Sequence, residues 1–355
     1  MREAFLSLVR LGIGHSVEII PDSVDWETLK ALAEQQGLSA IVLDGIERLP
    51  ENKRPPQMVL LEWIGEVLQA YEYTYDSYIR AIAEMTSFYN SHGYKMMVLK
   101  GYACSLDWPK PAHRPCGDID IWLFGKQKEA DKTLRQVQGA RFNIDDSHEH
   151  HTVFYWDDFM VENHYDFIDV HHRKSSPQLE SILKELGRDD THTIDVNGEK
   201  VYIPSPNLHA LFLLRHCMEH FASTELTLRQ LLDWAFFVKK HGSKVDWKWL
   251  ERVLKQFGME PAYNIFNAIC VEELGFDSGL FHSVQFNPFL KDRVLNDILS
   301  PEFREEEPKF FLSRVLFKYK RWRANGWKNE LCFKESMLSA FWSGVWGHLL
   351  KPATI

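Results

Sequence analysis

The chain reads as an α+β protein: a small mixed β-sheet domain with its own helices, flanked by N-terminal and C-terminal helical regions. Three observations carry that reading. Residues 96–124 alternate a short apolar strand, a Lys-Gly turn, a Pro-rich loop and a second strand. From there to His171, strand and helix signals succeed one another as they do in a compact α/β unit. Before Asn90 and after Pro206 the apolar residues instead recur at helical spacing. The expected parts are therefore residues 1–92, 93–203 and 204–355, the last boundary marked by Pro204 and Pro206.

In the first part, Trp26, Leu29, Leu32 and Ala33 share one helical face, with Asp25 or Ser23 as the cap. Pro55 and Pro56 precede a long helical stretch over 58–89, which His92-Gly93 ends. Its tyrosines, Tyr71, Tyr73, Tyr75 and Tyr78, read as core or groove lining. The middle part opens with a strand at 96–99, followed by a turn, a short helix and the strand that carries Asp118-Ile119-Asp120. A helix over 127–138 closes at Gly139, and two or three strands follow, the last at 167–171. Beyond Pro206, helices are expected over 208–221, 227–240 and 247–257, with Asp246 capping the last. Past Glu260 the signals weaken. An acidic run at 305–307, a basic aromatic segment over 318–334 and an apolar tail complete the chain.

Composition narrows the function. With 45% hydrophobic and 13% aromatic residues in 355, the chain can build a sizeable core. A net charge of -9 and a pI near 6.0 disfavour a nucleic-acid partner, since nothing global draws a polyanion. The five cysteines are scattered, without a C-x-x-C pair, which argues for a reducing, cytoplasmic setting and against a disulfide framework or a structural zinc site. Arg10 interrupts the one apolar run near the start, so neither a signal peptide nor a transmembrane segment is expected.

The chemistry concentrates around residue 118. Side chains two apart on a strand share a face, about 7 Å apart, so Asp118 and Asp120 stand side by side while Ile119 and Ile121 point into a core. Two like charges so placed repel unless a cation sits between them, and a hard divalent ion, Mg²⁺ or Mn²⁺, meets that need. Asp169 is the candidate third ligand: on a strand at 167–171, Ile168 and Val170 would face a core and turn Asp169 and His171 the other way. Gly101 follows a buried strand and opens a helix, where backbone N–H groups and a missing Cβ admit a phosphate. Lys100 and Arg114 could add positive charge there. Together these features suit a nucleoside triphosphate held through a metal.

The pattern Leu99-Lys100-Gly101, then Arg114, then Gly117-Asp118-Ile119-Asp120, then Ile168-Asp169-Val170-His171 resembles the bacterial nucleotidyltransferase family of the DNA polymerase β-type superfamily whose members are described as uncharacterised. The resemblance implies a nucleotide site in which Asp118 and Asp120 bind both metals. Asp169 would bind the catalytic metal and help to activate an acceptor hydroxyl, and Gly101 would approach the triphosphate. It further implies transfer of a nucleoside monophosphate to an acceptor with loss of pyrophosphate. Many relatives carry Gly-Ser at the turn, whereas Tyr102 follows Gly101 here and the nearest serine is Ser105.

Other readings compete. His216-Cys217-Met218-Glu219-His220 matches H-x-x-E-H, which on a helix sets two histidines on one face as in a zinc hydrolase. The bland alternative places His216 and His220 at the interface between the helical half and the α/β domain. His148, His150 and His151 lie in an acidic polar stretch and could bind adventitious metal, with a solvated loop as the default. The basic segment at 318–334 and its tail could touch a membrane surface or an acidic partner, or simply be a solvated helix face followed by a packed helix. A nucleotide-binding protein without turnover, or an interaction module, would share the same sequence features.

Overall fold

Asp25 accepts the Thr28 N–H at 3.2 Å and so caps a helix whose apolar face, Leu29 and Ala33, is fully buried. This is α2 (Trp26–Gln35), set between α1 (Arg2–Gly12) and α3 (Ser39–Glu47), in a computed structural model that describes residues 1–17, 23–138, 142–148, 150–171, 173–189, 191–303, 308 and 311–334. Helices α1 and α3 cross in backbone contact: a Cβ added at Gly12 would lie 1.9 Å from the Ile41 carbonyl oxygen, and one at Gly45 2.1 Å from that of Leu8. Next come α4 (Gln57–Val67), a π-helical turn (Leu68–Tyr73) and α5 (Thr74–Ser91), which run on without a break.

The sheet follows. Strand β1 (Met97–Val98) leads into the single-turn α6 (Tyr102–Ser105), then β2 (Ile119–Trp122), α7 (Gln127–Gln138), β3 (His151–Trp156), β4 (Phe159–His164), α8 (Ser176–Asp189), β5 (Thr191–Val196) and β6 (Glu199–Pro204). The spatial order is β3-β4-β2-β1-β6-β5. Strand β2 pairs parallel with β4 and antiparallel with β1, so the sheet is mixed. The remaining helices are α9 (Pro206–Ser223), α10 (Leu228–His241), α11 (Trp247–Gln256), α12 (Glu260–Glu272), α13 (Pro288–Leu299), α14 (Phe311–Ala324) and α15 (Gly326–Phe333). A capping box between Thr227 and Gln230 starts α10, and Asp246 caps α11 as its position in the sequence suggests.

The two faces of the sheet belong to different cores. Met96, Val98, Ile119, Ile121 and Val161 pack against α5 and α7. The opposite face, with Met97, Leu99 and Trp122, joins a larger core built from α1–α3, α4 and the helices after residue 205. The N-terminal helices are tied to the C-terminal ones directly: Gln36 donates to the Ile298 carbonyl and accepts from the Leu228 N–H, both at 2.9 Å. The boundary expected at 92/93 therefore falls after a helix, α5, that packs on the sheet, while 1–67 pack with the C-terminal part.

The strand expected at 167–171 does not form. Its backbone donors have other partners: the Glu180 carboxylate accepts from the N–H groups of Phe167 (2.9 Å) and Ile168 (3.1 Å), and Asp169 accepts from the His171 N–H at 2.7 Å. No neighbouring strand is left a ladder to join, and the segment is a series of bends. Past Glu260, where sequence signals fade, the chain is still helical. The basic segment packs inward in part: Lys328 is buried 2.5 Å from Asp297, Arg293 stacks on Trp327, and Arg173 lies 3.7 Å over Phe333. Gly139, the acidic run at 305–307 and the tail after 334 lie outside the described residues. Among those that are described, no helix is long and apolar enough to cross a membrane.

Candidate active site

The face of β2 that carries Asp120 and Trp122 looks toward the helical half, and its period of two sets Asp118 on the same side. A cleft opens there. Lys100, Gly101, Gly117, Asp118 and Asp120 form the sheet wall, and His216, His220, Arg229 and Asp233 on α9 and α10 face them. Residues more than a hundred positions apart in sequence thus meet across one opening.

Asp120 is 2% exposed and doubly contacted at Oδ1, by Lys100 Nζ at 2.8 Å and by His164 Nε2 at 3.0 Å. Burial alone would raise its carboxyl, but Lys100 and His164 hold it far below the usual carboxylate range. His164 donates through Nδ1 to the Asp166 carbonyl as well, at 3.2 Å, so both ring nitrogens face acceptors. Against the opposing effect of burial, Asp120 and Glu162 lift this imidazole to about 9. Asp118 behaves differently. Its carboxylate has no hydrogen-bond or ion-pair partner in another side chain among the described residues, and burial together with Asp120 pushes it up.

The carboxylate that the sheet sets beside Asp120 is Glu162. In the parallel β2–β4 pairing, Asp120 lies directly opposite Glu162 and Trp122 opposite His164. Asp120, Glu162 and His164 each present one donor atom within 4.8 Å of the others. Asp169 lies past the end of β4, outside the sheet, and acts electrostatically on His150. His171 is exposed on the same bend.

Arg114, Gly101 and Gly117 also line the cleft, the first two with structural contacts of their own. Arg114 is buried in a bidentate pair with Asp233, Nε to Oδ1 at 2.8 Å and Nη2 to Oδ2 at 2.9 Å, while Nη1 donates to the Pro115 carbonyl. It borders the cleft and joins the sheet domain to α10. Gly101 has φ +53°, and a Cβ there would fall 2.4 Å from the Tyr78 hydroxyl, which donates to the Asp118 carbonyl at 2.8 Å. The missing Cβ makes room for a tyrosine that props up the strand entering the aspartates. Ser105 is buried and bonded to Tyr75 Oη and the Tyr102 carbonyl. Gly117 has open space around its Cα.

Arg229 supplies what Arg114 does not. One turn before Asp233 on α10, it lines the cleft with a single long hydrogen bond to the Pro115 carbonyl at 3.5 Å and no carboxylate within 4 Å among the described residues. Burial and the neighbouring Arg114 lower its pKa. No periodicity in the sequence singles out this arginine.

The H-x-x-E-H motif does not assemble a zinc centre. Glu219 is bound by Arg215 at 2.5 Å and Arg173 at 3.4 Å, and among the described residues no group of metal-ligating side chains includes His216 or His220. The two rings meet edge to face, 4.3 Å apart, and line the cleft; burial, then Lys100, keeps both neutral.

Residues 22–275 match the model of a family described as uncharacterised nucleotidyltransferase. No curated protein matches the chain. Among solved structures, one described as an antigenic nucleotidyltransferase-like protein from Paracoccidioides brasiliensis is similar, at 14% identity and TM-score 0.37, over 59% of this chain and 98% of that one. With a match over most of its length, this chain belongs to the uncharacterised nucleotidyltransferase family.

Proposed function

We propose that the protein transfers a nucleoside monophosphate from an NTP to an acceptor, with release of pyrophosphate and dependence on Mg²⁺ or Mn²⁺. The observation that carries this is a pair of opposite charges facing one cleft with no side-chain ion pair within 4 Å among the described residues: the Asp118 carboxylate on the sheet wall and the Arg229 guanidinium on the helical wall. A part-buried charge without a close ion-pair partner is costly, and a cation plus a polyphosphate satisfies both at once. Asp118 and Asp120, with Glu162 beside Asp120, offer the hard oxygen donors that such a cation prefers. A divalent ion held there supplies charge neutralisation on phosphate oxygens.

The chain's own groups do the rest. Lys100 keeps Asp120 ionised and adds positive charge beside the phosphates, and Arg229 reaches them from the other wall. Neutral His216, whose ring nitrogens have no hydrogen-bond partner among the described residues, can hold an acceptor hydroxyl by accepting its proton in a hydrogen bond. Asp169 and His171 are left without a role in this reading. A second reading rests on Lys100 itself: with Nζ 2.8 Å from Asp120, the lysine serves in place of a cation in a protein that binds nucleotide without turnover.

The test is a thermal-shift titration of the four NTPs with Mg²⁺ or Mn²⁺, run beside a pyrophosphate-release assay. Wild type is expected to gain stability only when nucleotide and cation are both present, and Asp118→Ala to lose that gain. Equal shifts in both proteins count against the site. A shift without pyrophosphate from any acceptor tried points to the binding-only reading.

A further inference from the structure

We propose a second metal site beside the aspartates, formed by His150, His151 and His164 and suited to a borderline transition ion of the zinc class. The sheet builds it. His151 opens β3 and lies directly across from His164, the last residue of β4, so the two share the face that carries Asp120 and Glu162. His150 is fixed over the end of β4, because its carbonyl accepts from the N–H groups of Tyr165 (3.1 Å) and Asp166 (3.2 Å). One ligating nitrogen from each ring lies within 4.8 Å of the other two. The rings are 4.4 Å (150–151), 5.3 Å (151–164) and 5.6 Å (150–164) apart, centre to centre.

A separate observation points the same way. His151 is 7% exposed, yet among the described residues its buried Nδ1 has no hydrogen-bond partner. Buried polar atoms are rarely left so, and an ion shared with the neighbouring imidazoles satisfies it. His164 keeps Nδ1 on the Asp166 carbonyl, the kind of contact that orients a ligating histidine. Glu162 lies between this cluster and the aspartates, 3.4 Å from His164 Nε2 and 3.8 Å from His151 Nε2. Three imidazole nitrogens favour Zn²⁺, Co²⁺ or Ni²⁺ over Mg²⁺, whereas the aspartates offer oxygen alone, so the two places select different ions. The inference does not depend on nucleotide transfer.

The experiment uses the tag-free full chain, stripped with chelator and titrated with Zn²⁺ by calorimetry and with Co²⁺ by visible absorption. One ion per chain is expected, with the spectrum of a four-coordinate nitrogen-rich site and no competition from excess Mg²⁺. His150→Ala and His151→Ala should each weaken Zn²⁺ binding by about 100-fold or more. His148→Ala, which removes the ring stacked on His151, and Asp118→Asn should leave it unchanged. Circular dichroism confirms that each variant is folded. The proposal is overturned if folded wild type takes up no Zn²⁺, if His150→Ala and His151→Ala bind as wild type does, or if Asp118→Asn or His216→Ala removes the ion.

Discussion

The two walls of the cleft follow one plan with opposite charges. On the sheet wall, Asp120 is held by Lys100 and His164, and across the cleft Asp233 on α10 is held by Arg114 and the Trp108 indole N–H. Each of these ion pairs is structural. Beside each stands a charge without an ion pair among the described residues, Asp118 next to Asp120 and Arg229 next to Arg114. In each case the paired member holds the fold, and its like-charged neighbour faces the cleft.

That division can be broken by mutation. The largest effects are expected at the compensated members. Asp120→Ala strands Lys100 and His164, and Arg114→Ala strands Asp233, so each should lower unfolding free energy by about 3–5 kcal/mol in urea titrations. Asp118→Ala and Arg229→Ala should change it by less than about 1 kcal/mol, or raise it, while weakening NTP binding tenfold or more. A stability loss at Asp118 as large as that at Asp120 would erase the distinction. Next in size is Gly101→Ala, which meets the Tyr78 hydroxyl at positive φ and should cost about 1–3 kcal/mol. Tyr78→Phe in the same chain should recover part of that loss, a coupling readable in a double-mutant cycle.

A pH dependence separates the two members by another route. His164 is raised from 6.5 to about 9, so the stability it gains from Asp120 and Glu162 is complete below pH 6.5 and fades as pH climbs through about 9. Metal-free wild type should therefore lose stability across that window, and His164→Gln should show a flatter profile there.

Much of the sheet wall was legible in the sequence. Asp118, Ile119, Asp120 and Ile121 alternate as a half-buried strand must, and the Lys-Gly turn before them marks the close approach of another group. The place of Glu162 was not legible, because it becomes Asp120's neighbour only through the parallel β2–β4 register. Ile168-Asp169-Val170 shows the same alternation as a strand, but its backbone is claimed by Glu180, a residue no local pattern links to it. The hairpin β5–β6 had a usable signal in Asn197-Gly198, whose positive φ values make the turn. His150 and His151 looked solvated because the residues around them are acidic, and their burial depends on β4. Arg229 carried no sequence signal at all, since its significance lies in what it fails to contact.

The π-helical turn at Leu68–Tyr73 has one more implication. It sits within a rod running from 57 to 91, about 50 Å long at 1.5 Å per residue, whose first half inserts Trp63 and Val67 into one core and whose second half inserts Tyr78 and Ile82 into the other. Such a turn carries one residue more than regular winding needs, which rotates everything downstream by about 100°. The wide turn thus sets which side chains of one continuous spine reach each core, and Tyr78, beyond it, lies beneath the aspartate strand.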